Sequence, residues 1–177
     1  NPAFWPFYSS RQHLLLPRFL HKLHPLSAAL LQDYYFINGL GNPYEHGLAA
    51  SSLVGGGFLD SFPKLEVYLP HGGGTFPWLI GRFDYAIGTS AALKQMKQPA
   101  SAYLKRFYYD VIVFNARIMR NLIDLVGVDR IVMDTDFPQG RGGRPPVNFA
   151  ESVPGRSLQR RGRVVVLDWR RVLRFVF

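Results

Sequence analysis

The chain contains no cysteine, which excludes disulfides and thiolate metal sites and leaves His, Asp and Glu to hold any metal. It also lacks an apolar run near the roughly 18 residues a membrane helix needs, and it lacks the layout of a cleavable signal. The sequence therefore predicts a soluble, cytoplasmic protein with no membrane partner. Acidic residues are scarce: 12 Asp and Glu stand against 21 Lys and Arg, a net charge of +9. That excess is local. Residues 1–140 hold 12 basic and 10 acidic residues, whereas residues 141–177 hold 9 and 2. A solvated basic tail accounts for the imbalance, so nucleic acid is not expected as a partner.

What is present is a core-forming composition, 47% hydrophobic and 15% aromatic, in a pattern of alternating helices and strands. The spacing predicts helices from Phe4 to Leu16, Ser27 to Ile37 and Glu45 to Leu53, with Asn38 to Pro43 as a loop. Ala116 to Val126 gives the clearest helical period, with Asn115 as N-cap, Gly127 as stop and an apolar face at Ile118, Met119, Leu122, Ile123 and Val126. Strands are expected at Phe19 to His21, Leu65 to Leu69, Phe107 to Asp110 and Arg130 to Met133. This order predicts an α/β fold with a parallel sheet.

Three strand ends carry side chains with chemistry. Leu65-Glu-Val-Tyr-Leu-Pro-His71 runs into a histidine backed by Gly72, Gly73 and Gly74; Arg130-Ile-Val-Met-Asp134-Thr-Asp136 ends in a carboxylate; Pro17-Arg-Phe-Leu-His21 ends in a second imidazole. Each histidine alone reads as an ordinary strand-end residue. Together, His, His and Asp are what a metal-dependent hydrolase or lyase needs at the mouth of a β/α barrel. His24 could replace His21 in a shifted register, while His13 and His46 read as surface or structural. Asp134 and Asp136 lie two apart on a strand, with Asp136 the better placed ligand. His-Gly-Gly-Gly also resembles a lipase oxyanion loop, but no Gly-x-Ser-x-Gly accompanies it, and no Gly-Lys-Ser/Thr makes a phosphate loop. The glycines are expected to let the backbone pass close to a metal and substrate.

Five segments, in order over roughly residues 4–155, resemble one family: Phe19-Leu-His21; Gly41-Asn-Pro-Tyr-Glu45 with its small-residue helix; Pro70-His-Gly-Gly-Gly-Thr-Phe-Pro-Trp-Leu-Ile-Gly-Arg-Phe-Asp84; Lys105-Arg-Phe-Tyr-Tyr-Asp110; and Asp134-Thr-Asp-Phe-Pro138. The chain is similar to the aminocarboxymuconate-semialdehyde decarboxylase-like branch of the amidohydrolase superfamily, amidohydrolase family 2. The resemblance implies a partial (β/α)8 TIM barrel, approximately strands 5–8 with their helices, formed by residues 1–140, with 141–177 as a basic tail. Matched residue by residue, it implies His21 as the strand-5 metal ligand, His71 as the catalytic histidine of strand 6 and Asp136 as the strand-8 ligand. It implies Arg82 as the arginine that grips a substrate carboxylate. Asp110 ends the strand-7 match without a settled role, and Asp134 stands where relatives have a small residue.

The family's His-x-His pair at the end of strand 1 has no counterpart here, so a four-ligand site is reduced to His21 and Asp136. The implied cofactor is a divalent metal, zinc or manganese, and the implied reaction is non-oxidative decarboxylation of a small aromatic or unsaturated carboxylate, with the isolated chain expected to be inactive. Two alternatives remain: hydrolysis by the same constellation, and a non-catalytic half-barrel that binds a partner. A homo-oligomer is expected, because a sheet cut after four strands leaves two open edges.

Overall fold

The computed structural model describes residues 5–13, 18–20, 25–26, 28–87, 89–90, 96–136, 149 and 153. Four short segments dominated by Val, Ile, Phe and Tyr pair as one parallel sheet in chain order: β1 (Arg18–Phe19), β2 (Val67–Leu69), β3 (Phe107–Asp110) and β4 (Ile131–Val132). Their register sets Arg18 opposite Val67, Tyr68 opposite Tyr108 and Asp110 opposite Val132. Parallel neighbours need crossover connections, and helices supply them. Helix α1 (Trp5–His13) precedes β1, α2 (Asn42–Gly55) and α3 (Phe58–Ser61) join β1 to β2, α4 (Ile80–Ile87) leads toward β3, and α5 (Ala116–Val126) joins β3 to β4. Among the described residues, β1 and β4 each have a single neighbouring strand, and no helix is long and apolar enough to cross a membrane.

Side chains alternate along a strand, so the two faces of the sheet part company. Val67, Leu69, Phe107, Tyr109 and Ile131 enter the main core with Leu59, Tyr103, Met119, Leu122 and Val126. Tyr68, Tyr108 and Val132 form a second buried cluster on the opposite face, the face that Asp110 shares. Arg106, just ahead of β3, donates to the carbonyls of Leu59, Phe62 and Leu65 and so fixes the approach to β2 against the approach to β3. The expected boundary at residue 140 lies outside the described residues. Beyond it, the two described residues of the segment read as a tail, Phe149 and Val153, are buried in the main core.

Helix α5 matches its sequence expectation at both ends: Asn115 Oδ1 accepts from the N–H groups of Arg117 and Ile118, and Gly127 has a positive φ of 89°. Its buried face is Met119, Leu122, Ile123 and Val126, while Ile118 is exposed. The expected helix from Ser27 to Ile37 does not form. Among its described residues, a 3-10 turn at Ala28–Leu30 is followed by Tyr34 and Tyr35 in left-handed backbone, φ 53° and 63°, which ends any helix there. Conversely, Asn38 to Gly41, expected as part of a loop, belongs to one wide π-helical turn, Ile37–Gly41, that runs directly into α2. Proline is tolerated in a helix's first turn, so Pro43 starts α2 earlier than Glu45.

The three glycines after His71 have a packing role. The Pro43 carbonyl accepts from Thr75 N–H at 3.1 Å, pressing the start of α2 onto the turn. A Cβ on Gly74, which has φ 59°, would stand 2.0 Å from the Pro43 oxygen. Gly74→Ala is therefore expected to lose about 3 kcal/mol or more, combining a left-handed penalty with an overpacked backbone contact. Gly81→Ala, in α4 with nothing within 4 Å, should instead gain about 0.5–1 kcal/mol. Urea unfolding of both variants checks this; equal losses would remove the close approach as the cause.

Candidate active site

β2 delivers its C-terminal end to Pro70 and then to His71, whose backbone is left-handed at φ 56°; Asp136, four residues beyond β4, is left-handed as well at φ 53°. Such a conformation costs a residue with a Cβ about 1–2 kcal/mol and needs external support. It finds that support in two carboxylates. Asp110, at the end of β3, accepts from His71 N–H and Gly72 N–H, both at 2.8 Å, and from Ile112 N–H at 2.9 Å. Asp134 accepts from Thr135 N–H at 2.6 Å and Asp136 N–H at 3.3 Å. The turns bring the His71 Nε2 atom to 3.9 Å from the Asp136 Oδ1 atom, with side chains 12% and 27% exposed.

Asp110 is completely buried, and burial pushes its carboxyl up to about 6; the three backbone N–H donors pull the other way, and nearby Asp134 adds to the rise. Tyr68 reaches both carboxylates, at 3.0 Å from Asp110 Oδ2 and 2.5 Å from Asp134 Oδ2. Burial first, and the two carboxylates second, raise its phenol far above the usual range, so it stays protonated. A phenol has one proton to give, so both contacts are satisfied when Asp110 brings a second proton, as it does below about pH 6.

His46, on α2, is 1% exposed, and its ring meets the His71 ring edge-on at 4.8 Å between centroids. It is structural in the sense that it is buried, yet it lies against the central imidazole. Its contact with His71 was not read from the sequence, nor was the part played by Tyr68. An alternating strand offers Tyr68 to one face, but only the register shows that this face is the one holding Asp110. Arg82 sits on the exposed side of α4, and no hydrogen bond or ion pair joins it to His71 or Asp136 among the described residues. His21 and His24 lie outside the described residues; the chain leading to them runs beside β2, where Leu20 N–H donates to the Tyr68 carbonyl at 3.2 Å. Asp134 does not share a regular strand with Asp136, because β4 ends at Val132. Its side chain turns to Tyr68 instead.

Among the described residues, no three His, Asp or Glu side chains are grouped to hold a metal ion. Of the two expected ligands, His21 lies outside the described residues and Asp136 offers carboxylate oxygen; an imidazole nitrogen with a carboxylate oxygen is a set that suits a divalent ion such as manganese or zinc.

The buried carboxyl makes stability depend on pH with a defined sign. Asp110 binds its proton more tightly folded, near 6, than in its ordinary state at 3.8. Its contribution is thus fully present below about pH 4 and lost as pH rises through 6, about 3 kcal/mol in all. Denaturant midpoints between pH 4 and 7 should show this decline in the native chain relative to Asp110→Asn. Parallel profiles would mean that Asp110 ionises normally.

The residues matched by a family model, 1–151, cover most of the chain, and the family is described as amidohydrolase. A curated relative, the 2-amino-3-carboxymuconate-6-semialdehyde decarboxylase of Dictyostelium discoideum, is 27% identical over 155 residues, covering 86% of this chain and 43% of its own. Among solved structures, 5-carboxyvanillate decarboxylase from Sphingomonas paucimobilis superposes with a TM-score of 0.85 at 22% identity, covering 99% of this chain and 54% of the other. A dihydroxybenzoic acid decarboxylase from Polaromonas sp. JS666, solved with manganese and 2-nitroresorcinol, gives 0.78 at 24% identity, covering 90% and 51%. The chain spans about half the length of the curated relatives it matches, and its sheet and helices correspond to about half of these decarboxylase barrels. It belongs to the amidohydrolase family.

Proposed function

We propose that this chain carries part of the site of a cytoplasmic, metal-dependent carboxy-lyase that removes CO2 without oxidation from a small aromatic or unsaturated carboxylate. The observation that carries this reading is the His71 imidazole 3.9 Å from the Asp136 carboxylate, at the C-terminal ends of parallel strands where barrel enzymes keep their chemistry. The relatives named for decarboxylation of 5-carboxyvanillate and dihydroxybenzoic acid support the substrate class. Decarboxylation replaces a bond to CO2 with a bond to hydrogen, so one proton must reach the substrate carbon that CO2 leaves. His71 Nε2 is the group proposed to deliver it. Asp136, with His21, would hold the divalent ion, manganese as in the Polaromonas structure or zinc; when bound, the ion polarises substrate oxygens. Arg82, exposed on α4, is proposed to take the substrate carboxylate through its planar fork.

Two further readings keep a specific support. The same imidazole and carboxylate could activate water, making the reaction a hydrolysis. The single-neighbour strands β1 and β4 favour a half-barrel whose edges pair with another chain, a second copy being the simplest partner.

With manganese present, CO2 release from 5-carboxyvanillate or 2,6-dihydroxybenzoate should fall about 10²–10⁴-fold in His71→Gln. Retention of the native rate would remove His71 from the chemistry. Ester cleavage without CO2 release would favour the hydrolase, and neither activity in a chain of doubled mass would favour the binding half-barrel. After dialysis, metal analysis should find well under one equivalent, because two protein ligands fall short of the three or four that hold zinc firmly. A tightly held equivalent would require ligands beyond His21 and Asp136.

A further inference from the structure

His71 and Asp136 are both left-handed, and each turn is held by its own carboxylate, Asp110 for the first and Asp134 for the second. Those carboxylates come from different strand ends, β3 and β4. The Tyr68 hydroxyl meets both. It lies 3.0 Å from Asp110 Oδ2 and 2.5 Å from Asp134 Oδ2, buried on the sheet face opposite the main core.

We infer that Tyr68 is a positioning residue whose hydroxyl joins the two carboxylate-held turns into one unit, so that a bridge beneath the site sets the spacing between the His71 imidazole and the Asp136 carboxylate. The ring has separate work: it packs against Phe19 at 4.9 Å between centroids and clusters with Tyr108 and Val132. Tyr68→Phe therefore keeps the apolar packing and removes only the bridge. The inference rests on the functional reading for the roles of His71 and Asp136 alone, since the bridge is a matter of backbone support.

Residue-resolved amide hydrogen exchange on the full chain tests it. In Tyr68→Phe, protection at His71, Gly72 and Asp136 should fall together by about fivefold or more, the loss of one buried hydrogen bond, while Leu122 and Ile123 in α5 keep theirs. Asp134→Ala should weaken protection at His71 and Gly72, which it does not touch, and should add nothing there in the Tyr68→Phe background. Asp134→Asn, whose amide can still meet the hydroxyl, should restore the native values. The inference is overturned if Asp134→Ala affects only Thr135 and Asp136, or if Tyr68→Phe lowers protection throughout α5 as a general loss of stability would. Coupled turns together with an unchanged rate of CO2 release in His71→Gln would sink the functional reading and leave this one standing; activity that depends on His71 with uncoupled turns would do the reverse.

Discussion

A single buried carboxylate, that of Asp110, holds the end of β2 in place. It accepts from two successive N–H groups of the His71 turn, from Ile112 in its own loop, and meets the Tyr68 hydroxyl. A carboxylate in such a place is costly unless its oxygens are satisfied by donors. The donors here are backbone groups that would themselves be orphaned without it, so the debt is mutual: the turn exists because Asp110 receives it, and Asp110 can be buried because the turn supplies it. The imidazole is then presented toward Asp136 by a backbone tied to the end of β3 at two successive N–H groups.

The sheet around this carboxylate runs in chain order with few paired residues in each strand. A two-residue strand such as β1 or β4 contributes little pairing of its own. Its position comes from helices packed on one face and from the tyrosine and carboxylate cluster on the other. Burial on both faces suits a parallel sheet, and it places polar groups on the very face that a barrel would turn inward.

How much of this was legible depended on whether the signal was local. Helix α5 could be read from Asn115 to Gly127 because cap, period and stop all lie within the segment. β3 could be read from its aromatic run, and the candidate residues His71 and Asp136 from their places after strands; the structure brings that pair together. The segment around Tyr34 was misread because its helical spacing of apolar residues has nothing to bury against: Leu30, Tyr34 and Tyr35 remain exposed, and periodicity without a partner surface does not make a helix. Tyr68 escaped notice for the opposite reason. Its hydroxyl meets carboxylates distant in sequence, which follows from strand register rather than from any motif; His46, read as surface or structural, is buried, and its place against the His71 ring follows from packing.

The triple glycine after His71 bears on how such motifs should be weighed in other chains. Each glycine faces a different obstacle: a methyl at Gly72 would strike Val113, one at Gly73 the Tyr109 ring, and one at Gly74 the Pro43 carbonyl. Mutational drift would be checked at all three positions by packing, whether or not the neighbouring imidazole ever met a substrate. A lineage that had lost its chemistry but kept its fold would carry the same four letters. The motif is therefore a witness to architecture, and evidence for catalysis has to come from the histidine's surroundings instead.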